Sequence, residues 1–204
     1  MTKPLRVSLV QGATRWHDPA ANREYYGALV KPLKGQSDLI VLPETFLSGF
    51  TNETLGNAET MDGTGIQWLR ELAAEVGCVV TGSMVVREGD RCVNRLVWMP
   101  PFGTHAIYDK RHLFRMAKEH ERYGGGDTRL FRSRQLVGVN RVGVDGNELS
   151  YAGDSGAFDF LGMPLVELGA QEQVVTVTLD RAALEAHRER FPAWMDADEF
   201  EIRV

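Results

Sequence analysis

Apolar and polar positions alternate in blocks along the chain, and the blocks change period. Leu5-Arg6-Val7-Ser8-Leu9-Val10 alternates and then turns fully apolar, which predicts a strand. Asp18-Pro19 reads as a helix cap followed by proline at the first helical position. Ala21, Tyr25, Ala28 and Leu29 then recur at helical spacing. Asp38-Leu39-Ile40-Val41-Leu42-Pro43 is a short continuous apolar run, the pattern of a strand buried on both faces. Thr64-x-x-Gln67 predicts a capping box, Ile66, Leu69, Ala73 and Val76 one helix face, and Gly77 its end. Cys78 to Val86 and Arg91 to Met99 read as two strands joined at Glu88-Gly89-Asp90, and Pro100-Pro101-Phe102-Gly103 turns the chain into Thr104 to Tyr108.

The second half continues in shorter units. Leu136 to Val142 reads as a strand, and Asp145-Gly146-Asn147 as a hairpin turn. Ser155 to Phe160 and Gln173 to Leu179 read as further strands, with Asp180 capping a helix that runs to about Arg190. No repeat, low-complexity stretch or linker interrupts residues 1–204, so a single domain is the economical organisation. Hairpins beside strand–helix–strand units imply a mixed sheet, or two packed sheets with helices outside.

Composition narrows the function classes. Twenty-three basic residues stand against 28 acidic ones, a net charge of −5, which argues against a nucleic-acid partner. No apolar run approaches the ~18 residues of a membrane helix, and no apolar leader follows Met1, so no membrane partner and a cytoplasmic location are expected. Two cysteines exclude a disulfide scaffold and fit a reducing compartment. Two isolated cysteines and five scattered histidines show no zinc spacing, and no cofactor is expected.

Two segments carry candidate chemistry. Leu42-Pro43-Glu44-Thr45-Phe46 puts a glutamate at the end of a buried strand, and Tyr108-Asp109-Lys110-Arg111-His112-Leu113-Phe114 puts a lysine directly after another. Strand ends in layered α/β proteins hold loops on a rigid sheet, and catalytic groups gather there. Singly, each reads as a solvated turn residue or a charged strand edge. His112 beside Lys110 reads as a solvated histidine rather than a proton shuttle. Arg111 and Arg115 would suit an anionic substrate, or are simply solvated.

Together and in order, Pro43-Glu44-Thr45-Phe46, Tyr108 to Phe114 and Glu119 resemble the first marks of the nitrilase, or carbon–nitrogen hydrolase, superfamily. Val139-Asn140-Arg141-Val142-Gly143, Tyr151-Ala152-Gly153-Asp154-Ser155 and Arg190-Phe191-Pro192-Ala193-Trp194 fit its omega-amidase branch, and the resemblance runs from about Leu5 to Phe200. It implies a four-layer α-β-β-α sandwich of mixed sheets and a homodimer. It implies Glu44 as general base, Lys110 as the cation beside a developing oxyanion, and Glu119 as a second, supporting glutamate. Small amides of 2-oxo acids, with water, are the substrates it implies. Cleavage would run through a cysteine thioester. Nitrile or N-carbamoyl hydrolysis is the weaker alternative within the same superfamily.

The resemblance breaks at one place. The family's nucleophile lies in a Cys-Tyr-Asp-like turn between the lysine segment and the Asn-Arg-Val-Gly segment. Here Phe131 is followed almost at once by Gln135-Leu136-Val137-Gly138, with only Arg132-Ser133-Arg134 between. The piece without a counterpart amounts to roughly 50–70 residues, since one βαβ unit takes about 30 or more. Cys78 and Cys92 lie in strand-like patterns with neither an elbow-like turn nor the family's neighbours, and read as small core residues. Three explanations stand: the whole molecule carries a segment that these 204 residues omit, the segment is deleted, or the chain is a non-catalytic binding or dimerisation scaffold. Core-like runs such as Leu136-Val137-Gly138-Val139 flank the gap as if their partners were present, which favours the first. The tail from Phe191 to Phe200 either crosses a dimer interface or caps its own core.

Overall fold

The computed structural model describes residues 3–127 and 135–192. Its main sheet has six strands in the order β11-β1-β2-β3-β4-β5. They are β1 (Leu5–Gln11), β2 (Leu39–Val41), β3 (Val79–Glu88), β4 (Arg91–Met99), β5 (Ala106–Asp109) and β11 (Gln173–Leu179). The β1–β2 and β2–β3 pairs are parallel, and the β3–β4, β4–β5 and β1–β11 pairs antiparallel. Helix α1 (Pro19–Val30) crosses from β1 to β2, and α3 (Thr64–Val76) from β2 to β3. Short α2 (Thr54–Asn57) lies between β2 and α3.

Sequence chemistry explains the elements. Asp18 caps α1 by accepting from the Ala21 amide at 2.9 Å, with Pro19 opening the helix. Gly77 ends α3 with φ +73, a left-handed conformation that a Cβ would strain. Ile66, Leu69, Ala73 and Val76 are all buried, as their spacing predicts. The capping box at Thr64 and Gln67 does not form. The cap is Gly63, whose lack of a side chain is made good from outside the helix: the Glu59 carboxylate accepts from the Gly65 amide. The Gln67 side chain instead turns back to donate to the Asp62 carbonyl at 2.9 Å.

The larger core lies between the main sheet and α1/α3. Val10, Tyr26, Ile40, Phe46, Leu69, Val80, Met84, Val93 and Val97 meet there. A second sheet, in the order β10-β9-β6, packs on the opposite face: β6 (Leu136–Gly138), β9 (Gly156–Phe158) and β10 (Pro164–Glu167). Val7, Leu9, Val177 and Leu179 of the main sheet bury against Ala157, with Val137 and Val166 alongside. This is the α-β-β-α sandwich architecture, with three strands in its second sheet among the described residues.

Three elements differ from the sequence reading. Leu136 to Val142 is not one strand. The chain breaks at Asn140, whose amide turns to the Ser155 hydroxyl at 2.9 Å, and Val142 starts β7 (Val142–Val144) by donating to the Gly12 carbonyl at 3.1 Å. The hairpin from β7 to β8 (Ser150–Ala152) does form, but it is closed by the Asp145 side chain, which accepts from Asn147 and Leu149. Ser155 to Phe160 contracts to β9, because Ser155 is taken up by Gln11 and Asp159 closes a turn onto Met163. β10 had no signal, since only one of its four residues is even half-buried. Asp180 caps α4 (Arg181–Arg190) as expected, donated to by Ala183 at 2.9 Å. The junction at 131–135 and the tail beyond Pro192 lie outside the described residues, apart from Gln135.

The sandwich is closed at one end and open at the other. Along β4, Val93, Val97 and Met99 face α1/α3, so Cys92, Asn94, Leu96 and Trp98 face the second-sheet side. Leu96 and Trp98 are 37% and 41% exposed there. Leu136, on edge strand β6, is 62% exposed.

Candidate active site

Two strand ends of the main sheet and one 3-10 turn converge on an ionic cluster. Glu44 follows β2 in a turn tied to β3: the Thr45 amide donates to the Ser83 hydroxyl at 2.9 Å and the Phe46 amide to the Ser83 carbonyl at 3.1 Å. The amides of Ser48 and Gly49 close the turn on the Thr45 carbonyl. Thr45 sits at φ +46, a left-handed conformation rare for a β-branched residue, and is fully buried with its hydroxyl unpartnered. Surrounding bonds therefore hold Glu44 in a locally strained turn, a common property of functional positions.

Lys110 leaves the end of β5, where its amide donates to the Asn94 carbonyl at 2.9 Å. The preceding Asp109 is gripped by buried Arg95 through two bonds of 2.6 and 2.7 Å, and Arg95 also reaches Glu88 at 3.0 Å. Gly126 presses on the other side. Its amide donates to the Lys110 carbonyl at 3.1 Å, and a Cβ there would lie 2.2 Å from the Asp109 carbonyl oxygen. Only glycine permits that approach.

Glu119 opens a single 3-10 turn, Glu119–Glu121, and is completely buried. Its Oε2 accepts from the Phe114 amide at 2.6 Å and pairs with Lys110 Nζ at 3.1 Å. Glu44 Oε1 accepts from Lys110 Nζ at 2.8 Å. The ammonium therefore bridges a buried carboxylate and a half-exposed one, with the Phe50 ring 5.7 Å away. Burial acts to lower the Lys110 pKa, but the paired carboxylates of Glu44 and Glu119 outweigh it and raise it above the ordinary value. The lysine is a fixed cation, suited to stabilising negative charge on a reacting oxygen rather than to accepting a proton.

Sequence reasoning named Glu44, Lys110 and Glu119, and the structure brings all three together. It missed Asn94, Arg95 and Ser83, which hold them. Asn94 is 2% exposed, and its Nδ2 donates to Glu44 Oε1 at 2.7 Å and to Glu119 Oε1 at 3.4 Å. A buried asparagine inside a strand pattern was the available signal, because such a side chain must find partners. His112 is exposed, as expected for a solvated residue.

Neither cysteine has a nucleophile's surroundings. Cys78 lies at the start of β3, away from the cluster, and burial pushes its thiol up to about 11. Cys92 is buried against Val85 and Tyr123, two residues before Asn94 on the same strand face. A reactive thiol needs access and a lowered pKa. Glu44, Lys110 and Glu119 are thus assembled, and neither Cys78 nor Cys92 lies among them.

Residues 6–135 match the family model described as carbon-nitrogen hydrolase. The chain is 30% identical to "Omega-amidase YafV" of Escherichia coli K12, over 97% of this chain and 98% of that protein. That comparison spans 254 aligned positions, so at least 50 have no residue among the 204 here. A second relative, "2-oxoglutaramate amidase" of Bacillus subtilis, is 27% identical over 56% of this chain and 45% of its own length. Among solved structures, XC1258 of Xanthomonas campestris superposes with a TM-score of 0.93 at 43% identity, covering 99% of this chain and all of that one. It is described as a CN-hydrolase superfamily protein with an arsenic adduct in its active site.

Proposed function

The chain belongs to the carbon–nitrogen hydrolase family, and on that premise we propose that it is an omega-amidase-like enzyme. It hydrolyses the terminal amide of a small 2-oxo acid and releases ammonia. The observation that carries the reading is the Glu44–Lys110–Glu119 cluster, two carboxylates sharing one ammonium. The names of the Escherichia coli and Bacillus subtilis relatives support the substrate class.

The chemistry follows from the groups. Glu44 accepts the proton of a thiol, and the thiolate attacks the amide carbonyl. The carbonyl oxygen becomes an oxyanion, which the Lys110 ammonium stabilises in place. Protonated Glu44 returns its proton to the leaving nitrogen, which departs as ammonia and leaves a thioester. Water, deprotonated by the same glutamate, then releases the acid. Glu119 keeps Lys110 charged and aimed. The thiol belongs to the segment of at least 50 aligned positions that these residues do not supply.

A second reading rests on that same gap. A protein consisting of these 204 residues alone would bind a small carboxylate or dimerise without turning over. Ammonia release from a 2-oxo-acid amide, measured beside the intact mass of the same preparation, separates the two. The amidase reading expects release and a mass several kilodaltons above 22.8 kDa. A mass of 22.8 kDa with no release replaces it by the binding reading.

A further inference from the structure

One buried asparagine, through its side chain and its backbone carbonyl, touches every member of the ionic cluster. Asn94 sits mid-strand on β4, 2% exposed, on the face turned from α1/α3. Its backbone carbonyl accepts from the Lys110 amide at 2.9 Å. Its side-chain Nδ2 donates to Glu44 Oε1 at 2.7 Å and reaches Glu119 Oε1 at 3.4 Å. Both acceptors are carboxylate oxygens, so the nitrogen must be the atom that faces them.

The hydrogen bonds to Glu44 from Asn94 and from Lys110 fall on the same oxygen, Oε1. A carboxylate oxygen that accepts two strong donors has little capacity left as a base, while its partner oxygen keeps its lone pairs. We propose that Asn94 is the positioning residue of this site: it fixes the Glu44 carboxylate about its terminal torsion so that Oε2 is the atom that takes and returns the proton. That terminal torsion is otherwise broad, without staggered wells to hold it. Lys110 alone does not fix it, because an ammonium is a compact point charge that pairs equally well with either oxygen. Asn94 can, because its rotamer is locked in a strand and buried. The proposal deepens the amidase reading and rests on it for the proton's role, while the geometric claim stands on its own.

Two variants separate hydrogen bonding from packing. Asn94→Asp keeps the shape and removes the donor, and Asn94→Ala removes both. Crystal structures of the wild-type protein and both variants show where the Glu44 carboxylate sits, whatever the activity. The expected result is a rotated or multiply oriented Glu44 carboxylate in both, with the Lys110–Glu119 contact retained. In turnover, kcat falls by roughly tenfold or more with KM little changed, short of the full ~10²–10⁴ that a general base contributes. In Asn94→Asp part of the loss is recovered as pH falls and the introduced carboxyl regains a proton to donate. A Glu44 carboxylate in its wild-type orientation in Asn94→Asp overturns the proposal. So does an Asn94→Asp enzyme with wild-type kcat beside an impaired Asn94→Ala, which would make the residue a packing element. An absence of ammonia release from the wild type overturns the amidase reading instead, and leaves the crystallographic comparison decisive for Asn94.

Discussion

At the scale of single residues, the site is a problem of holding like charges together. Glu44 and Glu119 approach one ammonium, and the assembly is tolerable because each carboxylate has further donors, the Asn94 amide and the Phe114 backbone. Lys110→Met removes the cation and leaves Glu119 completely buried without its counter-charge. Ammonia release should fall by about 10²–10³ or more, the scale for losing one oxyanion donor, with some loss of stability. Glu44→Gln keeps the shape and removes the base, so kcat should fall within about 10²–10⁴ while the melting temperature barely moves. A different pair governs acid stability. Arg6 donates to Asp38 from its side chain and backbone and holds that carboxyl well below the usual carboxylate range. A depressed folded-state pKa contributes stability above the unfolded value and loses it as pH falls toward the folded one. Wild type should therefore exceed Asp38→Asn in urea midpoint at pH 7, with the gap shrinking once pH drops below about 4.

At the scale of elements, the legible parts of the sequence were those with a period and a cap. α1 and α4, and strands such as Gln173–Leu179, carried their own start, spacing and stop, and α3 its spacing and its stop at Gly77. Glu44 and Lys110 each lie at or just past a strand end, and they became legible, with Glu119, through the order of motifs that carries the family resemblance. What escaped is long-range. The α3 cap comes from Glu59, outside the helix, and β10 exists only through pairing with β9. Asn94 reads as one polar position in a strand until Glu44, 50 residues away in sequence, is folded onto it. The elements make their own predictions. Gly77→Ala forces a Cβ into a left-handed cap and should destabilise by about 1–2 kcal/mol, read from the urea midpoint. Gly126→Ala should act differently: its Cβ meets backbone at Asp109, so the Lys110 carbonyl contact must shift, and activity should fall more than stability. Asp180→Ala should loosen α4 by about 1 kcal/mol and leave activity alone, because α4 has no buried residue.

At the scale of the molecule, the two ends of the sandwich tell different stories. Where β1 and β11 meet β9, apolar residues bury each other as in any layered core. Where β4 turns toward the second sheet, Leu96 and Trp98 stand half-open, and Leu136 lines the edge of β6. The ionic cluster sits on that open side, with Asn94 on the same strand face as Leu96 and Trp98. The Escherichia coli relative aligns over at least 50 positions that have no residue here, and the resemblance places the break between Phe131 and Gln135. On the proposed amidase reading, the uncovered face, the missing thiol and the shortfall in length share one cause: a strand-bearing segment that also carries the nucleophile. Each Leu or Trp it covered would contribute about 1.5–3 kcal/mol of burial, a large part of an ordinary domain's stability. The most direct test is to fractionate the protein by size, assay each fraction for ammonia release from a 2-oxo-acid amide, and take the intact mass of the active one under denaturing conditions. Activity should travel with a chain several kilodaltons heavier than 22.8 kDa. Activity in a species of 22.8 kDa would contradict the account, because a thioester route would then have to run without the segment that supplies its thiol.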